Sequence, residues 1–231
     1  MTRIPSSPVP AGPRAVPVLA GFSFPVAVVA SELDADGRTR TLIEAGEVDE
    51  IFPFASVTKP IVAWSALVAV ERGLLDLEAP AGAGTARGSA GAGTARGSAG
   101  AGAPVLPGAT VRHLLAHTSG IAFDSDAVLA APGTRRIYSN RGIELLGERL
   151  EEATATPLET WIETTVLEPL GMSSVLVPGS PAHSGEGSAR DLAVFARELA
   201  APRLVGADLA AEATSVAFPG LDGVLPGYGR Q

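Results

Sequence analysis

The sequence predicts an α+β fold in which an antiparallel sheet lies beside a helical lobe. Residues 24–30 are a short apolar run that suits a strand, and the turn signal Asp34-Ala-Asp-Gly37 indicates that residues 38–45 are its partner in a hairpin. The middle of the chain repeats apolar residues at three- and four-residue steps, which is the helical period. No later segment has a strand pattern. We therefore expect the first strand to be buried and the sheet to lack strands from the carboxyl-terminal part of the chain.

Five helices are predicted from this period and from capping residues, and a loop follows them. The helices span residues 57–72, 111–116, about 140–152, about 157–167 and 189–200, and the loop spans residues 218–229. Gly73 ends the first helix, and the caps of the second and third are Thr110 and either Ser139 or Asn140. Two capping boxes, Thr156-Pro-Leu-Glu159 and Ser188-Ala-Arg-Asp191, open the last two helices.

Composition and charge indicate one globular domain and argue against several function classes. The chain has 231 residues, of which 46% are hydrophobic and 18% are charged, enough to form a core. The net charge of −8 argues against binding to nucleic acid or to anionic membranes. Without cysteine, neither a disulfide framework nor thiolate chemistry is possible. The sequence predicts no cofactor and does not indicate an oligomeric state.

Two segments differ in composition from the rest of the domain predicted at residues 22–231. Residues 1–21 form a proline-rich flexible leader without the apolar run of a signal peptide, so we expect a cytoplasmic protein. Residues 81–103 are a Gly/Ala-rich repeat, in which the nine-residue unit that starts at Ala81 recurs at Ala90 and begins again at Ala99. Because this repeat has no side chains that form a core, it is interpreted as a flexible surface insertion.

Ser56 and Lys59 are the first candidates for catalysis. Lys59 is the only lysine among seventeen basic residues, and a buried ammonium can give up its proton whereas guanidinium stays protonated. Residues i and i+3 at the start of a helix share one face, so the amine can reach the serine hydroxyl and accept its proton. Apolar neighbours on both sides indicate that the pair is buried. A chance surface pair is the alternative, since serine is common in this chain.

Tyr138, Asn140 and three histidines are the other residues that could carry chemistry. Taken alone, Tyr138 suits a core aromatic residue and Asn140 suits a helix cap. His113 and His117 are four residues apart on a predicted helix, a spacing that can bind a metal. No third ligand accompanies them, so a metal hydrolase is the last-ranked alternative. His183 lies in a glycine- and serine-rich loop and is expected to be solvated.

Four segments occur in the order and approximate spacing of one enzyme superfamily. They are Ala55-Ser-Val-Thr-Lys-Pro60, Thr110-Val-Arg-His-Leu-Leu-Ala-His-Thr-Ser-Gly120, Tyr138-Ser-Asn140 and Glu168-Pro-Leu-Gly-Met172. Because of these segments, residues 24–229 resemble the class C β-lactamase-related serine hydrolases, a superfamily that also holds D-alanyl-D-alanine peptidases, which bind penicillin, and β-lactamase-like esterases. The resemblance implies a β-lactamase/DD-peptidase-like fold and a small-molecule substrate.

The resemblance also implies a role for each candidate residue. Ser56 is the expected nucleophile, acylated by an ester or an amide, and Lys59 is expected to assist its deprotonation. Tyr138 is the expected general base, as phenolate or in a proton relay with Lys59. Asn140 is expected to bind the substrate carbonyl and to help hold Lys59. The backbone N–H of Ser56 is expected to stabilise the oxyanion.

One motif of the superfamily is missing from this sequence. A carboxyl-terminal strand with Lys-Thr-Gly or His-x-Gly supplies the second oxyanion donor in the superfamily, whereas here Lys59 is the only lysine and His183-Ser-Gly185 precedes a predicted helix. Loss of such a donor costs about 10²–10³ in rate in other serine hydrolases. We therefore expect a truncated hydrolase of low stability and low activity. A non-catalytic remnant or binding protein is the alternative, and the sequence does not identify the acyl donor.

Overall fold

The computed structural model describes residues 21–34, 38–82, 106–225 and 229–230. The predicted leader and the predicted insertion lie almost entirely outside these residues, as does the middle of the turn predicted at residues 34–37. The strands are β1 (Ala27–Leu33), β2 (Thr39–Gly46), β3 (Ile51–Pro53), β4 (Arg136–Ile137), β5 (Glu186–Ser188), β6 (Gly223–Leu225) and β7 (Gly229–Arg230). The helices are α1 (Thr58–Glu71), α2 (Val111–Leu115), α3 (Asn140–Thr154), α4 (Leu158–Ile162), α5 (Glu168–Leu170), α6 (Ala189–Ala200) and α7 (Ala207–Ala213), with a 3₁₀ turn at Ala55–Val57 and a π-helical segment at Glu163–Leu167.

Strands β1 and β2 form the predicted hairpin. They pair antiparallel, from Ala27 opposite Gly46 to Leu33 opposite Thr39, with a register shift after Ala30. The prediction that the first strand is buried is wrong, because its side chains are half-buried up to Ala30 and exposed beyond it. In the described part of the chain, β1 pairs with one strand, β2, and one helix, α6, packs against it. This small sheet therefore does not bury the whole strand.

The other strands are short, and none of them was predicted. β3 pairs antiparallel with β5, β4 pairs parallel with β6, and β6 pairs antiparallel with β7. The prediction that residues 218–229 form only a loop is therefore wrong, since β6 and the start of β7 lie within them. Strands of two or three residues are too short to show the two-residue alternation by which strands are recognised in a sequence. The predicted combination of antiparallel pairing with a helical lobe is confirmed.

Helix α1 lies at the centre of the helical lobe, close to the range predicted for it. Most of its residues are buried, so it is apolar on nearly all sides, as is typical of a core helix. Helices α3 and α4 and the π-helical segment pack around it. Two indole groups link α1 to its surroundings: Trp64 Nε1 donates to the buried Glu198 carboxylate, and Trp161 Nε1 donates to Ser65 O. Among the described residues, no helix is long and apolar enough to cross a lipid bilayer.

The capping box predicted at the start of α4 is wrong. The cap residue is Pro157, and Thr156 Oγ1 donates to Thr154 O instead of bonding to the helix. The Leu158 N–H donates to Glu151 Oε1 at 2.9 Å. A carboxylate near the end of α3 therefore does the capping, and the adjacent Thr-x-x-Glu pattern does not reveal it.

The serine predicted to cap α6 does so. Ser188 Oγ accepts a hydrogen bond from the Asp191 N–H at 3.1 Å. The Asp191 carboxylate completes no box, because it accepts hydrogen bonds from the backbone N–H and the hydroxyl of Ser174 at 2.8 and 2.7 Å. It thereby holds the loop before β5 against α6. Helix α7, farther along the chain, was not predicted.

Candidate active site

The 3₁₀ turn before α1 presents Ser56 at the surface. Ala55 has a φ of +47°, a left-handed conformation that is rare and strained for a residue with a side chain. The turn is held by Thr58, whose hydroxyl donates to Ala55 O at 2.6 Å and accepts from the Gly185 N–H at 2.8 Å. Ser56 itself is exposed. Its hydroxyl is therefore accessible to a substrate while the backbone around it is fixed.

Lys59 lies just below Ser56, and its side chain is buried. Its Nζ lies 3.1 Å from Ser56 Oγ, 2.7 Å from Asn140 Oδ1 and 2.8 Å from Ala182 O. An ammonium has three N–H donors, so these three acceptors match its full capacity. A buried cation is costly unless it is paired or hydrogen-bonded, and here three oxygens from three parts of the chain compensate it.

Tyr138 lies beside the amine. Its ring centre is 4.6 Å from Lys59 Nζ, close enough for an attraction between the cation and the aromatic face. The ring is half-buried between His117 and Phe123, whose ring centres lie 4.7 and 6.1 Å away. The structure therefore brings together Ser56, Lys59 and Tyr138, which are separate in the sequence.

Asn140 completes the group from the first turn of α3. Of the two predicted caps, Ser139 is the one used, because its hydroxyl accepts from the Gly142 N–H at 2.8 Å. The Asn140 side chain is thus free to face the site. Its Nδ2 donates to Asp124 Oδ1 at 2.8 Å, which orients the amide so that its oxygen faces Lys59.

Two of these contacts were not predicted from the sequence. Ala182 contributes a backbone carbonyl, and Asp124 lies in a loop without regular structure. No local sequence pattern predicts either contact. The Ala182 acceptor belongs to the backbone, so it does not depend on the residue type, and the Asp124 loop has no helical or strand period. The segment that holds Ala182 continues into β5, beside the Ser56 turn, because Gly185 O accepts from the Phe54 N–H at 2.7 Å. His183, next to Ala182, is exposed, as predicted.

The two histidines that were considered for a metal lie in different surroundings. His113 stacks on Phe218 at 4.9 Å and accepts a hydrogen bond from the Thr110 N–H through Nδ1. His117 does not share its helix, because α2 ends at Leu115 and His117 follows with a φ of +56°. The prediction of one helical face is therefore wrong. The described residues contain no group of three or more acidic, histidine or cysteine side chains that could hold a metal ion.

His117 lies close to the candidate residues and is neutral at neutral pH. Burial is the main cause that lowers its pKa to about 4, and the charges of Lys59 and Arg136 add to the effect. Its Nδ1 accepts a hydrogen bond from the Ser139 N–H at 3.2 Å, so the proton of the neutral ring belongs on Nε2. Because its ring is neutral, His117 places no second positive charge near Lys59.

The chain is similar to known proteins in sequence and in fold. Residues 30–230 match the Beta-lactamase family. Esterase EstB of Burkholderia gladioli is 32% identical over 162 residues, which are 54% of this chain and 38% of the esterase. The chain therefore matches well under half the length of that relative.

Solved structures show a similar fold. The crystal structure of a beta-lactamase from Mycobacterium bovis has a TM-score of 0.77 and 42% identity, and the match covers 94% of this chain and 71% of the beta-lactamase. A D-stereospecific amidohydrolase from Streptomyces sp. has a TM-score of 0.64 and 23% identity, with 86% of this chain and 74% of the amidohydrolase covered. At 23% identity, this second likeness concerns the fold alone.

Proposed function

The chain belongs to the beta-lactamase family, and from this premise we propose that it is a serine hydrolase that forms an acyl-enzyme at Ser56. Its helices and small antiparallel sheets form a β-lactamase/DD-peptidase-like fold. The proposed substrates are esters or amides, because the similar proteins include an esterase and a beta-lactamase. The observation that carries the proposal is the 3.1 Å contact between Lys59 Nζ and Ser56 Oγ.

The hydrogen bonds of Lys59 support its proposed role as an acceptor of the serine proton. A neutral amine has two N–H donors and one lone pair. The oxygens of Asn140 and Ala182 can take both N–H groups. The lone pair would then point toward Ser56 Oγ, as a base beside a nucleophile requires. With both N–H groups bonded to these two carbonyl oxygens, the lone pair is the position left to accept the serine proton.

The proposed reaction needs only the substrate, water and these side chains. The Ser56 oxygen forms a bond to the substrate carbonyl carbon, and its proton passes to Lys59 or through it to Tyr138. The tetrahedral intermediate then breaks its bond to the leaving alcohol or amine, which takes up that proton. Water attacks the acyl-enzyme in the same way and releases the acid. Tyr138 is proposed to share in this proton transfer because its ring centre lies 4.6 Å from Lys59 Nζ.

Asn140 and the backbone of Ser56 are proposed to bind the substrate. The Asn140 side chain is held by Lys59 and by Asp124, so it can offer a fixed amide edge next to the nucleophile. The Ser56 N–H lies in the 3₁₀ turn directly before α1, near the helix end whose aligned peptide dipoles favour a negative charge. This N–H is the proposed donor to the oxyanion.

Covalent labelling with a fluorophosphonate tests the proposal. The probe should add one phosphonyl group to the intact chain, and peptide mass spectrometry should locate it on Ser56. Ser56→Ala should abolish the label while the chain stays folded, because Ser56 is exposed and Lys59 keeps its bonds to Asn140 and Ala182. Ser173→Ala, which removes another exposed hydroxyl, is the matched control and should label normally. A folded chain without label would contradict the hydrolase and favour the non-catalytic binding protein.

A further inference from the structure

His117 contacts the Tyr138 segment at three points. The His117 carbonyl oxygen accepts from the Ile137 N–H at 2.8 Å, and its Nδ1 accepts from the Ser139 N–H at 3.2 Å. Between these two bonds, the imidazole and phenol rings lie 4.7 Å apart and are tilted by 42°. One residue therefore holds the backbone on both sides of Tyr138 and also supports its ring.

The backbone of His117 has an unusual conformation. Its φ of +56° lies in the left-handed region, which few residues other than glycine adopt. The chain around it is fixed, because Thr118 is fully buried and its N–H donates to His113 O at 2.8 Å. A residue kept in a disfavoured conformation by its surroundings is typical of functional sites.

The chemistry of the ring suits this position. The Ser139 N–H is buried and needs an acceptor, which an imidazole offers at Nδ1 only while that atom carries no proton. Burial, followed by the charges of Lys59 and Arg136, lowers the pKa of His117 to about 4, so Nδ1 stays free of a proton at neutral pH. A phenylalanine would fill the same space but would leave the N–H without a partner.

We propose that His117 is the positioning residue that holds the Tyr138 ring against the Lys59 amine. The inference rests on the proposed function, in which Tyr138 shares the proton of Ser56. His117 itself lies behind the phenol, so it acts through Tyr138 and not on the substrate. Its removal should therefore slow acylation and leave substrate binding unchanged.

His113 provides a matched control in the same segment. It too packs its ring on an aromatic side chain, Phe218 at 4.9 Å, and accepts a 3.2 Å hydrogen bond from a backbone N–H through Nδ1. Its partners are Thr110 and Phe218, not the Tyr138 segment. Replacing either histidine by phenylalanine removes the same kind of hydrogen bond and keeps an aromatic ring, so the two changes differ mainly in their relation to Tyr138.

The test compares fluorophosphonate inactivation of the full chain and its variants, with the rate constant (kinact) separated from the binding constant (KI). His117→Phe should lower kinact by up to about 10²-fold with KI unchanged, because a shift of about 1 Å in a catalytic group can have this effect. His113→Phe should leave kinact within about twofold. His117→Asn should recover part of the loss, because asparagine carries an acceptor at the same Cγ and tolerates positive φ. Equal losses in the two phenylalanine variants, or no loss in His117→Phe, would overturn the proposal.

A second measurement does not depend on activity. The chain has two tyrosines, Tyr138 and Tyr228, so 3-fluorotyrosine gives two ¹⁹F signals, which Tyr228→Phe assigns. His117→Phe should shift or split the Tyr138 signal, and His113→Phe should leave it in place. An unchanged Tyr138 signal in His117→Phe would refute the positioning role. A chain that shows the shift but takes no label would refute the proposed function instead.

Discussion

Helix α1 and strand β1 both contain a run of apolar residues, but the two segments are covered very differently. Residues 61–69 of α1 are nearly all buried, whereas β1 is half-buried at best and then exposed. Three helical segments surround α1, and α6 is the helix that packs against the hairpin. An apolar run thus shows that a segment tends to be covered, while the surrounding structure determines whether it is. The candidate site lies in the well-covered region.

The largest effect is expected from Lys59→Met. Labelling of Ser56 should fall by about 10³-fold, because the proton acceptor is lost. The free energy of unfolding should also fall by about 1–3 kcal/mol, since the oxygens of Asn140 and Ala182 would lose their donor. Labelling kinetics and urea denaturation measure the two effects.

Arg40→Met in the hairpin is the control for this prediction. Arg40 pairs with Glu32 at the surface, where both side chains are more than half exposed, so the loss should stay within about 1 kcal/mol. Labelling should be unchanged. If both variants lost the same stability, the lobe and the hairpin would not differ in the way described.

A pair of leucine substitutions compares the packing of the two regions directly. Leu146→Ala in α3 should cost about 2–5 kcal/mol, because the side chain is fully buried in the core. Leu42→Ala in β2 should cost about 0.5 kcal/mol, since 45% of that residue is exposed. Urea denaturation measures both values. If Leu42→Ala lowered the free energy of unfolding as much as Leu146→Ala, the hairpin would have to be packed against something other than the described residues.

The lobe should also lose stability in acid, through His117. Its pKa is about 4 in the folded chain, against the ordinary value of 6.5, so between these values the unfolded chain binds a proton that the folded chain does not. This contribution is complete above pH 6.5 and is lost as pH falls toward 4. Between pH 7 and pH 5 the loss should be about 2 kcal/mol.

The control for this pH dependence is His117→Asn. Urea denaturation at the two pH values should show a drop in the unmodified chain that is larger than in His117→Asn by the contribution of this one group. If the two chains lost the same stability, burial would not be lowering the pKa of His117.

The smallest effect is expected from Asp124→Ala. Loss of the carboxylate frees the Asn140 amide, which can then turn its nitrogen instead of its oxygen toward Lys59. Labelling should slow by about fivefold, the equivalent of one hydrogen bond of about 1 kcal/mol. Asp126→Ala, two residues along the same loop, removes a surface contact with Arg141 and should leave labelling unchanged. Equal rates in the two variants would show that Asp124 does not orient the amide.

Features that depend on local sequence were the ones that could be predicted. The range of α1, the Ser139 cap and the β1–β2 hairpin follow from patterns within a few residues. The short strands, the capping of α4 by Glu151 and the Ala182 carbonyl at Lys59 depend on parts of the chain that meet only after folding. For the site, the sequence singled out Lys59 and Ser56 by chemistry, and Tyr138 and Asn140 by resemblance. The orienting contacts of Asp124 and His117 join segments that meet only in the folded chain.

The close approach of β5 to the Ser56 turn has a consequence for protein engineering. A methyl group added at Gly185 would lie 2.6 Å from Thr58 Oγ1, and one added at Gly187 would lie 2.7 Å from a Val175 methyl group and 2.9 Å from the Phe54 ring. Exchanging glycine for alanine is a common way to make a protein more heat-resistant, because it restricts the unfolded chain. At these two positions the exchange would push the β5 segment away from the turn that holds Ser56, so a thermostabilised form of this chain should keep both glycines.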